Sequence, residues 1–173
     1  MLNRIKRILK HHWLSAVPTQ HAMTPALVRK LAQAVAASEQ QHSGEIRIYV
    51  ETSLPASDLW RKTSTRQLTH QRALTLFGKL RVWDTAHNNG VLIYLLLAER
   101  AIEVVADRGL NDRVEPQVWQ AMVARMGSAF KQGHFEDGLN AALAQVSGLL
   151  VQHFPLAAGQ GNPNELPDAP VLH

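Results

Sequence analysis

A chain of 173 residues, 46% hydrophobic and 18% charged, is one ordinary globular domain with enough apolar material for a core of its own. With zero cysteines it has neither a disulfide framework nor a thiolate metal site, so redox chemistry is silent about compartment and the cytoplasm is the default expectation. The formal charge of +4 does not signal a nucleic-acid partner: 18 basic side chains less Arg4, Lys6, Arg7 and Lys10 of the first dozen residues equal the 14 acids, whereas a body that grips phosphates carries a basic excess.

Residues 1–21 are read as a basic amphipathic segment. Leu2, Ile5, Ile8 and Leu9 alternate with the four cations, so residues 1–12 suit either an anionic membrane surface or a helix whose apolar side covers the domain. There is no secretory h-region and no apolar run near the roughly 18 residues that span a bilayer. The expectation is a cytoplasmic protein, peripheral at the inner membrane if that helix meets lipid.

Residues 22–154 carry the α/β domain. Thr24-Pro25 predicts an N-cap and first helical residue, with Leu27, Leu31 and Val35 on one face and a stop near Ser43-Gly44. Glu45 to Thr52 alternates, which predicts a strand with one buried face. Pro55 to Leu80 is expected to be one long helix. Val91 to Leu97 is apolar without alternation, the mark of a central strand, and Ala101 to Ala106 returns beside it as a hairpin that sets Asp107 next to Asn88 and Asn89. Two helices follow, on the Val114–Ala129 and Phe135–Leu150 stripes. The whole predicts a three-layer-like sandwich: a small mixed central sheet, made of a βαβ unit plus a β-hairpin, flanked by about four helices. Residues 155–173, rich in Pro, Gly, Ala and Asn, are expected to be a flexible tail without a core.

Phosphate-loop, GxGxxG, HExxH and GxSxG motifs are all missing, and the nine histidines form no i, i+4 pair suited to zinc. An organic cofactor is not expected. One rim of the sheet should instead gather Glu45, Asp84, Thr85, His87, Asn88, Asn89, Asp107, Asn111, Asp112 and Glu115, an oxygen-rich set of the kind calcium or magnesium requires. The candidate metal ligands are Glu45, Asn88, Asn89 and Asp107, with Asp84, Asn111 and Asp112 as additional candidates. The competing account is that Asn88-Asn89-Gly90 turns the chain and Asp112 and Glu115 face a helix N-terminus. Asp107 and Arg108 are the catalytic candidates, since a cation there could activate water while Arg108 held a phosphate.

Several segments resemble a known family: Ser43-Gly-Glu-Ile-Arg-Ile-Tyr-Val-Glu51, Arg72-Ala to Phe77, Asn88-Asn-Gly-Val-Leu-Ile-Tyr94, Ala106-Asp-Arg-Gly-Leu110, Trp119 and Phe130-Lys-Gln-Gly-His-Phe-Glu-Asp-Gly-Leu139. They are similar to the TPM domain family, named for a thylakoid lumen protein, a photosystem II repair protein and a modulator of an acetylcholine receptor. His153-Phe-Pro and Asn164-Glu-Leu-Pro-Asp168 are similar to the ending of a bacterial subgroup. The resemblance implies an α/β sandwich, divalent-cation binding among relatives and an acid phosphatase-like activity in the plant member. It carries Glu45, Asn88, Asn89 and Asp107 over as site residues. The chain departs from the pattern at His87, where an acid is frequent, and in showing no signal peptide or C-terminal anchor. Lacking an obvious nucleophile or base, it is expected to be a cation-binding interaction or adaptor module for a protein partner, with a weak metal-dependent phosphatase as the alternative.

Overall fold

The computed structural model describes residues 8–11 and 23–173. Helix α1 (Pro25–Glu39) starts where Thr24 Oγ1 accepts the Leu27 N–H at 3.2 Å, and Pro25 fills the first turn, where no backbone donor is needed. It leads into β1 (Ile46–Glu51), then α2 (Ala56–Leu59), α3 (Thr65–Lys79), β2 (Val91–Leu96), a 3-10 turn at Leu97–Glu99 and β3 (Ala101–Ala106). The short α4 (Arg108–Asn111), the long α5 (Pro116–Lys131) and α6 (Phe135–His153), and β4 (Val171–Leu172) complete the chain.

The sheet order is β3-β2-β1-β4. β1 pairs in parallel with both β2 and β4, whereas β2 and β3 are antiparallel, so the sheet is mixed. Ile46, Ile48, Val50, Val91, Ile93 and Leu95 face one apolar cluster with α1, α5 and α6. Tyr49, Leu92, Tyr94 and Leu96 face the second, with α2, α3 and Val82. Helices on both faces give the expected three-layer sandwich.

Three expectations change. β1 is buried along its whole length, not on one face. Its alternating Arg47 and Glu51 are polar groups with partners inside: Arg47 Nη1 donates to Ala169 O at 3.3 Å, and Glu51 takes a bidentate bond from Arg72 at 2.6 and 3.0 Å. Alternation reports solvent only when the polar side chains lack such partners. The long helix over 55–80 is two helices, because Ser64 and Gln67 form a capping box that starts α3 afresh. The closing segment is no coreless tail. Leu166 is buried against the second cluster, and Thr52 N donates to His173 O while His173 N donates to Val50 O, both at 2.9 Å.

Of the basic N-terminal segment, only residues 8–11 fall among the described residues. They make a helical turn in which Ile8 packs on the second cluster and His11 is buried, its ring bonded to Glu99 Oε1 at 2.8 Å and to the Leu54 N–H at 3.1 Å. That part covers the domain.

Candidate functional site

The ladder runs one rung past the strands: Val91 N donates to Glu45 O at 2.8 Å and Asp107 N to Gly90 O at 2.9 Å. Glu45, Gly90 and Asp107 therefore stand in a row at one end of the sheet. A strand spacing of about 4.8 Å puts the two acids roughly 10 Å apart across Gly90. A Cβ at Gly90 would overlap the Val82 carbonyl, so backbone fills the position between them. A Cβ at Gly109 would meet the carbonyl oxygens of His87 and Asn88, and its N–H donates to Asn88 O at 2.8 Å. Only glycine lets α4 sit so close to the Asn-Asn turn.

The side chains of the candidate ligands go to three places. Asn88, at φ 52°, accepts from Arg108 Nη2 at 3.2 Å, and Asp107 Oδ1 caps α4 by accepting the Arg108 N–H at 2.7 Å. Asn89 is fully buried and donates through Nδ2 to Ser43 O at 3.0 Å, while its own N–H donates to Thr85 Oγ1. Glu45, also fully buried, accepts from the Leu166 N–H at 3.0 Å on the opposite side. Asp84 pairs with Arg81, and Asp84, His87, Asn111, Asp112 and Glu115 are exposed. The shared rim is thus real for the backbone, but the four side chains do not converge on one point.

A different carboxylate group gathers under the closing segment. Asn162 Nδ2 donates to the carbonyls of His42 and Gly44, at 3.1 and 3.2 Å, and Glu165 accepts the Ala86 N–H. This strap roofs an open pocket of about 390 Å³ lined by Glu39, Gln40, Asn162, Asn164 and Asp168 among others. Glu39 is only 4% exposed; its Oε1 accepts from Ile46 N at 2.8 Å, while its Oε2 has no donor. Glu45 Oε1 and Asp168 Oδ1 are likewise buried without a donor. Burial, followed by the nearby Glu45 and Asp168 charges, pushes Glu39 up to about 8 against the pull of the Ile46 N–H. Burial also raises Glu45. Arg47 is the cation that faces Asp168 and Glu39.

The turn beneath is held by a neutral histidine. His42 Nδ1 lies 3.1 Å from Gly44 O, so it must carry the proton, which leaves Nε2 to accept from Ser38 Oγ at 2.8 Å. Burial lowers its pKa, consistent with the uncharged ring. Among the described residues no group of three or more His, Cys, Asp or Glu side chains is arranged to hold a metal ion. What the pocket offers is the Glu39 and Asp168 carboxylates on its wall, one oxygen of each without a donor, and amide groups around.

Asp168 and Glu39 are absent from the sequence candidates. Glu39 has a legible signal: it continues the Leu31 and Val35 stripe by one more step of four, which places an acid on a buried helical face. Asp168 has none, since the strap lacks periodicity.

The TPM domain family model matches residues 17–149, ending short of the strap. No match is found among curated proteins. Among solved structures, the chain is similar to the BA42 protein of the psychrophilic bacterium Bizionia argentinensis, with 26% identity, a TM-score of 0.71, and coverage of 87% of this chain and 94% of that one. It shares the fold of the N-terminal domain of a protein from P. gingivalis, at 18% identity and a TM-score of 0.59 over 78% of this chain and 82% of that one. Among the described residues no helix is long and apolar enough to cross a membrane.

Proposed function

The chain belongs to the TPM domain family, and from that premise we propose that it is an interaction module whose strap pocket takes a divalent cation, calcium or magnesium. The observation that carries this reading is the pair of buried carboxylate oxygens without donors on the pocket wall, Glu39 Oε2 and Asp168 Oδ1. A buried oxygen left unpaired is costly, and a hard cation is the ligand that oxygen donors of this kind compensate. The two come from α1 and the strap. A cation there would fasten the strap to the domain and fix the surface it offers to a protein partner.

Titrating calcium or magnesium while following amide signals is the test. At pH 8.5, above the Glu39 pKa, shifts should cluster at residues 36–46 and 160–169, and the Glu39→Gln/Asp168→Asn pair should weaken binding at least about tenfold, because each substitution removes a charged ligand. Shifts centred on Asn88, Asn89 and Asp107 would move the cation to the rim. Shifts spread over the whole surface would remove it.

One observation favours a second reading, weak phosphoester hydrolysis at Asp107 and Arg108: Asp107 Oδ2 is buried without a donor beside an exposed guanidinium. On that reading Asp107→Asn abolishes phosphate release from a chromogenic ester, and retained turnover would count against it.

A further inference from the structure

Exposed apolar side chains are unevenly shared between the two helical layers. Leu9, Trp60, Leu74 and Trp83, at 62, 63, 48 and 48% exposure, all belong to the layer that packs on the second cluster. Each sits beside an anchor in that cluster: Leu9 next to Ile8, Trp60 next to Leu59, Leu74 next to Ala73, and Trp83 next to Val82. Helix α3, about 22 Å long at 1.5 Å per residue, lies between the two tryptophans in sequence. Its exposed line Gln67, Gln71, Leu74 and Gly78 carries no charge.

Charge follows the same division. Residues 56–84 hold Arg61, Lys62, Arg66, Arg72, Lys79 and Arg81 against Asp58 and Asp84, whereas residues 25–39 and 116–153 hold Arg29, Lys30, Arg125 and Lys131 against Glu39, Glu136 and Asp137. Arg72 is committed to Glu51, Arg81 to Asp84 and Arg61 to Asp58, and Lys62, Arg66 and Lys79 are exposed around the apolar line.

We propose that the α2–α3 layer is a docking surface for an anionic lipid bilayer, with Trp60, Leu74, Trp83 and Leu9 at headgroup depth and Lys62, Arg66 and Lys79 on the lipid phosphates. Tryptophan favours the membrane interface, and a basic layer is drawn to anionic lipid. The aliphatic Leu9 and Leu74 separate this from a nucleic-acid surface, where phosphate contacts and aromatic stacking would leave them without a role. The inference stands apart from the cation pocket, which opens between α1 and the strap.

The test is sedimentation of the full chain with vesicles of phosphatidylcholine, alone or mixed with phosphatidylglycerol. Binding is expected only to the mixed vesicles, weakening with salt, with a blue shift of tryptophan emission. Lys62→Gln, Arg66→Gln and Lys79→Gln should each weaken it by about fivefold, and Trp60→Ser/Leu74→Gln/Trp83→Ser should abolish the blue shift. All variants keep residues 1–12, so full binding by them would show that the N-terminal segment acts alone and overturn the proposal. So would tighter binding to an oligonucleotide that Leu74→Gln leaves unchanged.

Discussion

Replacing Arg72 by Met should cost about 3–5 kcal/mol of folding stability, the range for leaving a buried charge without its partner. Glu51 is 1% exposed at the end of β1, where Arg72 Nη2 and Nε reach its two oxygens at 2.6 and 3.0 Å and Tyr94 donates to Oε2 at 2.8 Å. Without the guanidinium, one phenol hydroxyl remains to hold a carboxylate between Tyr49, Tyr94 and the apolar residues of α3. Burial followed by the Glu51 charge raises the Tyr94 pKa, so the phenol stays a donor throughout the working range of pH. Urea unfolding measures the loss, and Arg72→Met/Glu51→Gln should recover part of it, since the uncompensated charge is then gone. A single-variant loss below about 1 kcal/mol would mean the pair behaves like an exposed one.

That pair also shows where the sequence stops being legible. The unbroken apolar run of β2 and the return of β3 carry their own periodicity, so the central strand, the hairpin and the nearness of Asp107 to Asn88 follow from local pattern. Glu51 and Arg47 look like the solvent half of an alternating strand until Arg72 and Ala169, far along the chain, are seen to meet them. The strap is harder still. Its hold on the domain is a set of scattered contacts, among them Asn162 to the His42–Gly44 turn, Leu166 N to Glu45, the buried Leu166 side chain and the two-residue β4, and no periodic signal accompanies contacts of that kind. The same gap hid the pocket: with the strap read as coreless, Glu45 had only the Asn-Asn turn to face, whereas its side chain accepts from the Leu166 N–H of the strap.

Raising the pH of the cation-free protein from 6.5 to 8.5 should lower its melting temperature by about 4–8 °C. Glu39 has a folded pKa of about 8 against an ordinary value of 4.5, so between those values the folded chain holds a proton that the unfolded chain has lost. The stability tied to that proton is fully present below 4.5 and falls as pH rises, at no more than about 1.4 kcal/mol per unit, until it is gone just above 8. The loss across the interval is about 2 kcal/mol, and each kcal/mol moves the midpoint of a chain this size by roughly 2–4 °C. Of the groups facing Glu39, Glu45 is raised by burial and shifts stability in the same direction, Asp168 adds repulsion once Glu39 ionises, and Arg47 stays charged throughout. His42, lowered by burial, acts in the opposite sense by at most roughly half a kcal/mol, because its contribution is lost only as pH falls below its ordinary 6.5. Glu39→Gln should flatten the slope. Calcium added at pH 8.5 should restore the midpoint of the native chain but not of the variant, since the cation stands in for the missing proton between Glu39 and Asp168. A midpoint that holds steady or climbs over this interval, or a variant that keeps the slope, would show that Glu39 is already ionised in the folded protein.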